Sequence, residues 1–209
     1  MSDSRTEVLV TLGELAGELV DQSGPSGEFV YIDISSVDRE KKTISGSKSL
    51  TLEQAPSRAK QVLKTGDVLV SMTRPNLNAV ALVTEHLDGA IGSTGFHVLR
   101  SCWLKPAYLF ALVQTNDFID AMTEVVQGAL YPAVRPRDIS SYSFSFETPA
   151  HQTRIVAKLE ELLSDLDAGV AELKAAQKKL AQYRQSLLKA AVEGTLTADW
   201  RTKNTPTEL

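Results

Sequence analysis

Apolar positions come in short runs along the first two thirds of the chain, and at helical spacing along the last third. "FVYIDI" (29–34) is rich in β-branched and aromatic residues and predicts a strand. "DVLVSMT" (67–73), "AVALVT" (79–84) and "FHVLR" (96–100) predict three more. Between the second and third lies "RPNLN". Pro75 biases Arg74 toward an extended backbone and cannot donate to a ladder, while Asn76 and Asn78 favour turns. The pattern predicts strand–loop–strand with Arg74, Asn76 and Asn78 near the tip.

The period then changes. "KPAYLFALVQTNDFIDAMTEVV" (105–126) predicts two helices, the first opened by Pro106 and the second capped by Asn116. "QGALYPAVRPRD" (127–138) carries Gly128, Pro132 and Pro136 and predicts a loop; "YSFSF" (142–146) alternates like a strand. From Pro149 to about Glu193 no internal proline occurs. Leu159, Leu163, Leu166, Val170, Leu173, Leu180 and Leu187 form a heptad seam, with Gln177 and Arg184 at the skipped positions. Such a rod would run roughly 65 Å at about 1.5 Å per residue, and its seam needs a partner. Gly194 stands where a C-terminal cap belongs, and Gly169, after Asp165 and Asp167, is a candidate break. The tail after Trp200 is polar and expected to be loosely ordered.

A chain of 209 residues with 43% hydrophobic and 23% charged composition has room for one domain plus an added element. Cys102 alone excludes an internal disulfide, and its neighbours Ser101 and Trp103 favour a packed thiol. "MSDSRTEVLV" has no apolar leader core and no run approaches a membrane span, so a cytoplasmic protein is expected. The net charge of −4 argues against nucleic acid until its distribution is considered. Between Arg39 and Lys64 stand seven basic residues against Glu40 and Glu53, a local +5.

Catalytic chemistry finds little to rest on. "GAIGSTG" (89–95) lacks the lysine of a phosphate loop and reads as turn glycines. His86, His97 and His151 have no metal-ligand spacing, so no metal is expected. Ser93 has no nucleophile elbow, and the carboxylates at 160–167 lie on the long helix. No catalytic residue and no cofactor is assigned to this chain.

Several stretches are familiar together. "APSRAKQVLKTGDVLVSMTRPNLNAVALV" (55–83) resembles the middle of target recognition domains in type I restriction-modification specificity subunits, and "STGFHVLR" (93–100) resembles the strand that follows. "HQTRIVAKLEELLSDLD" (151–167) and "LAQYRQSLLKAAVEGTLT" (180–197) resemble the two ends of the family's spacer helix. His151-Gln152 replaces the family's usual Glu-Gln. The usual chain has two recognition domains and two spacer helices; this one has one of each, as a half-sized subunit or a fragment would. The resemblance implies an α+β fold, with a mixed recognition domain over 1–147, a coiled-coil-forming spacer or dimerisation helix over 148–197 and a polar tail over 198–209. It implies a non-catalytic subunit that reads one half of a bipartite DNA target. Its expected partners are double-stranded DNA, methyltransferase subunits that hold S-adenosylmethionine, restriction subunits in the full complex, and a second copy through the helix.

The residues suit that use unevenly. Arginine can bond guanine and asparagine adenine, so Arg74, Asn76 and Asn78 are candidates for base edges, with Arg74 better suited to phosphate or framework because the family's domains with different targets share this Thr-Arg-Pro. Lys41, Lys42 and Lys48 flank the polar loop "TISGS" and suit phosphates, as does Lys60. Arg58 suits DNA or an ion pair with Asp67. Tyr131, Arg135 and Arg137 suit a groove-facing loop. A protein-only adaptor assembled through the helix is the alternative, favoured by the acidic total.

Overall fold

The computed structural model describes residues 8–126, 128 and 130–204. Strand β1 (Leu9–Thr11) leads into α1 (Leu12–Ala16), and β2 (Phe29–Ile32) is followed by the hairpin β3 (Val37–Asp38) and β4 (Thr43–Ile44). Then come β5 (Lys48–Leu50), β6 (Ala59–Val62), β7 (Val68–Ser71), β8 (Val80–Leu82), β9 (Ile91–Ser93) and β10 (Phe96–Leu99). Helices α2 (Pro106–Leu112), α3 (Asn116–Val125) and α4 (Pro136–Ser140) precede β11 (Ser143–Ser145), the long α5 (Pro149–Val192) and α6 (Ala198–Lys203). The fold is α+β with a long helix after a sheet-rich part, as the sequence leads one to expect.

The chain divides into two compact units, one ending at Ala157 and one beginning at Lys158. In the first, β10, β7 and β8 form an antiparallel sheet with β7 central, and β5, β2, β9 and β6 form a second in which only β2 and β9 run parallel. All four residues of β7 are buried, which is why "DVLV" is a continuous apolar run and does not alternate. Val68 and Val70 face one core with Val80, Leu99, Leu109, Phe118 and Ile139. Leu69 faces another with Ile32, Leu63, Ala81, Phe96 and Val98. This sheet is therefore packed on both faces, and the β7–β8 connection sits at its end.

The first turns of α5 are part of this unit. Gln152 is fully buried; its amide oxygen accepts the Lys105 N–H at 2.8 Å and its amide nitrogen donates to the Glu147 carbonyl at 2.8 Å. Ile155 and Val156 pack on the core beside it.

In the second unit α5 continues unbroken, so Gly169 does not split the rod. One glycine costs a helix about 1 kcal/mol, and Ala168, Ala171, Glu172 and Leu173 around it are strong helix formers. The helix is followed by Gly194 in the left-handed region (φ 72°), as the sequence indicates. Beyond it α6 carries the chain helically to Lys203, past the point where loose order is expected; residues 205–209 lie outside the described set.

Several local expectations are corrected. "TISGS" is not a free loop, because Thr43 and Ile44 pair with Asp38 and Val37. "GAIGSTG" contains β9 as well as its turn; Gly92 sits where a side chain would meet Leu63. Thr115, not Asn116, caps α3 by accepting the Phe118 N–H. The loop expected over 127–138 gives way to α4 at Pro136, a proline at a first helical turn; Gln127 and Ala129 are outside the described residues. Cys102 is exposed, because it sits in the bend between β10 and α2; Glu18 bonds to its thiol and pushes the thiol pKa up. Asp67 does not pair with Arg58. It is 1% exposed and takes a two-pronged hydrogen bond from Arg100, Nε to Oδ1 and Nη2 to Oδ2, both at 2.7 Å.

Candidate nucleic-acid interface

The β7–β8 connection is a short, internally bonded turn. Ser71 N–H donates to the Ala79 carbonyl and closes its base, and Ser71 Oγ donates to the Thr73 carbonyl at 3.1 Å. Pro75–Leu77 form a single 3₁₀ turn, closed by Leu77 N–H to the Arg74 carbonyl and Asn78 N–H to the Pro75 carbonyl, each at 2.9 Å. Pro75 is buried and anchors the turn, while Thr73, Arg74, Asn76 and Leu77 are exposed around it.

Arg74 is not extended. It has φ 51° and ψ 64°, and Asn78 at the other end of the turn has φ 41° and ψ 58°. Proline disfavours the right-handed helical region for the residue before it and favours the extended one, and here the backbone bonds that Arg74 makes to Leu77 and Pro132 hold it in the left-handed region instead. Among the described residues the remaining non-glycine with positive φ is Lys42, at 55°. Such conformations cost roughly 1–3 kcal/mol each where the side chain has no local compensation, and asparagine tolerates them best.

These strained residues meet. Lys42 Nζ lies 2.5 Å from the Asn78 carbonyl oxygen and 3.3 Å from its Oδ1. Asn78 is 7% exposed, and its Nδ2 donates to the Val113 carbonyl at 2.8 Å, at the C-terminus of α2. Asn78 is thus spent on framework, and Lys42 points its ammonium at the protein; partial burial lowers the Lys42 pKa. In this structure both side chains are bonded inward, where the sequence leads one to expect them turned toward DNA.

The loop before α4 is joined to the same turn. Arg74 N–H donates to the Pro132 carbonyl at 2.9 Å, Val134 N–H to the Met72 carbonyl at 2.8 Å, and Thr73 and Ala133 form an isolated bridge. Tyr131, Arg135 and Arg137 are exposed here, with Leu130 beside them. Asp138 caps α4 through the Arg135 N–H and lies 3.6 Å from Arg137 Nε. Two candidate segments far apart in the sequence, 74–78 and 131–137, are thus brought together by the fold.

The other cations stand apart from this cluster. Lys41 is exposed in the β3–β4 turn, its N–H bonded to Asp38. Lys48 lies on β5, 3.7 Å from Asp33. Arg58, just before β6, and Lys60, on it, are exposed; the Arg58 carbonyl accepts the Thr94 N–H, and the carbonyl of Gly95 next to Thr94 accepts the Met72 N–H at the base of the turn. His97, on β10, has its pKa lowered by burial, with Nε2 3.4 Å from Ser140 Oγ. Among the described residues no group of three His, Cys, Asp or Glu is placed to hold a metal, and no helix is long and apolar enough to cross a membrane.

The seam of α5 is exposed along its length: Leu159, Leu163, Leu166, Val170, Leu173, Leu180 and Leu187 are between 37% and 73% exposed. Leu162, Tyr183 and Leu188 widen this apolar face.

No family model matches the chain. It is 32% identical over 108 residues to the specificity subunit of the type I restriction enzyme EcoDI of Escherichia coli, a match that spans 52% of this chain and 24% of that protein. It superposes with a TM-score of 0.79 and 33% identity on the crystal structure of the HsdS subunit from Thermoanaerobacter tengcongensis, over 90% of this chain and 49% of that one. A second solved chain, from work on the assembly and conformational transition of the type I R-M system, gives a TM-score of 0.78 at 34% identity, over 88% and 49%. The chain spans about half the length of these solved structures. In sequence and fold it is similar to one half of a type I specificity subunit.

Proposed function

We propose that the chain is a DNA-specificity subunit of a type I restriction-modification complex, reading one half of a bipartite target. The likeness to HsdS across nine tenths of the chain carries this reading. Arg74 and Asn76 are the residues for base edges, because they are exposed on a turn whose backbone is already set. Tyr131, Arg135 and Arg137 flank them, and Lys41, Lys48, Arg58 and Lys60 supply phosphate contacts from neighbouring elements.

The chain has no catalytic role of its own in this reading. Methyltransferase subunits supply the S-adenosylmethionine and the adenine methylation, and restriction subunits complete the assembly, all in the cytoplasm. The exposed leucine seam of α5 pairs with the same helix of a second copy, antiparallel, and offers a surface to the methyltransferase subunits.

A salt titration of duplex binding tests the reading directly. Affinity should fall steeply and linearly on log–log axes, and a duplex enriched from a random library should bind more tightly than the library itself. Binding that is weak, insensitive to salt and equal for both duplexes would overturn it.

A further inference from the structure

We propose that Lys42 and Asn78 are positioning residues for base reading: their hydrogen bonds hold the turn at residues 74–78, before DNA arrives, in the strained shape that presents Arg74 and Asn76. The inference rests on the DNA-reading role above and adds to it which residues make the turn competent.

Three observations converge. The first is strain: Arg74 and Asn78 flank the turn in the left-handed region, and Lys42, which touches it, is left-handed too. Positive φ at three non-glycine residues persists only where surrounding bonds over-determine it. The second is the bonds themselves. Asn78 Nδ2 donates to the Val113 carbonyl, one of the acceptors left open at the end of α2. Lys42 Nζ covers the Asn78 carbonyl and Oδ1 together. The amide orientation is thereby settled, with its oxygen toward the ammonium and its nitrogen toward the helix end. The third is the division of exposure: Asn78 and Pro75 are buried, while Arg74 and Asn76 between and beside them are exposed. The turn alternates anchors with free side chains, and a reading element needs that arrangement to hold its donors within reach of base edges.

A phosphate contact would require Lys42 to turn its ammonium outward. That would leave the Asn78 carbonyl and Oδ1 without the donor they have, in a partly buried place. Lys42 therefore differs in role from Lys41 beside it.

The test uses the full chain with a duplex enriched from a random library and the unselected library as probes. Lys42→Met should lower the ratio of enriched to library affinity at least tenfold and leave the slope of log affinity against log salt unchanged. Lys42→Arg, which keeps a cationic donor able to bond both oxygens, should restore most of the ratio. Amide exchange at Leu77 and Asn78 in the free protein should quicken in Lys42→Met while β7 stays protected. Asn78→Gly accepts the left-handed backbone but cannot reach Val113; it should lose the ratio as well. If Lys42→Met weakens both probes alike and lowers the slope by about 0.9, the lysine is a phosphate contact and the inference is wrong. An unchanged ratio with unchanged exchange also overturns it. Unmodified protein that binds both probes equally would remove the DNA reading itself, and the inference with it.

Discussion

At the scale of single residues, charge burial decides what is framework and what is free. Asp67 is 1% exposed and is tolerated because Arg100 meets it with two short hydrogen bonds and Lys64 N–H adds a third at 2.8 Å. Removing one partner of a buried pair leaves the other uncompensated, so Arg100→Ala should cost about 3–5 kcal/mol in chemical denaturation. Arg58→Ala, which leaves Asp67 untouched, should fall within about 0.5 kcal/mol of the unmodified protein. His97 supplies a pH dependence. Burial depresses its native pKa, so the unfolded chain takes up a proton first as pH falls below about 6.5. Stability is then full above that value and declines as pH drops toward the native pKa. The melting temperature should fall between pH 7 and pH 5, and His97→Gln should flatten that fall; an identical slope in the variant would remove His97 as the cause.

At the scale of elements, what the sequence reveals depends on whether the deciding force is local. The β7 and β8 runs are legible because strands packed on both faces must be apolar throughout. The α5 seam is legible because its heptad is written directly in leucines. The β3–β4 hairpin is not legible: "KKTISG" reads as polar, and what holds it is the packing of Val37 and Ile44 on a core with Leu63 and Phe96 and the bond from Lys42 to Asn78, all far along the chain. Half of the candidate site behaves the same way. Arg74, Asn76, Tyr131, Arg135 and Arg137 are identifiable as exposed residues of turn-rich segments, although Arg137 lies in α4, and the fold does bring those segments together. Asn78 and Lys42 look identical to their neighbours in sequence, and only long-range bonds to Val113 and to each other turn them inward. The local clue for Asn78 is its place between a 3₁₀ turn and an apolar strand, a position that favours a left-handed asparagine.

The helix makes its own predictions. Gly169 meets no atom within 4 Å where a Cβ would be, so Gly169→Ala should stabilise α5 by about 0.5–1 kcal/mol. Circular dichroism on heating would register this as a higher helical midpoint. Leu173→Asp places a charge on the exposed seam and should convert a paired species to monomer in light scattering, with the melting of the first unit unchanged. A single clean monomer for the unmodified protein without its partners would argue strongly against pairing between copies.

At the scale of the whole molecule, the net charge of −4 and the local +5 over 39–64 belong together. A basic stretch on an acidic protein attracts phosphates to one region while the remaining surface repels them. Replacing Lys41 and Lys48 with alanine should weaken all duplexes alike and reduce the salt slope by about 1.8, two phosphate contacts' worth. If two copies pair through α5, symmetry requires that they read identical half-sites in opposite orientation. Deleting one heptad between Leu166 and Leu187 should then change the gap between half-sites and leave the half-sites themselves intact.

The most direct measurement is methylome sequencing of cells carrying this chain together with the methyltransferase subunit proposed as its partner. The account predicts adenine methylation at an interrupted palindrome that disappears when this chain is deleted. Methylation at an asymmetric split motif would contradict the pairing of two identical copies. A methylome that does not change with the chain's presence would contradict the specificity role altogether.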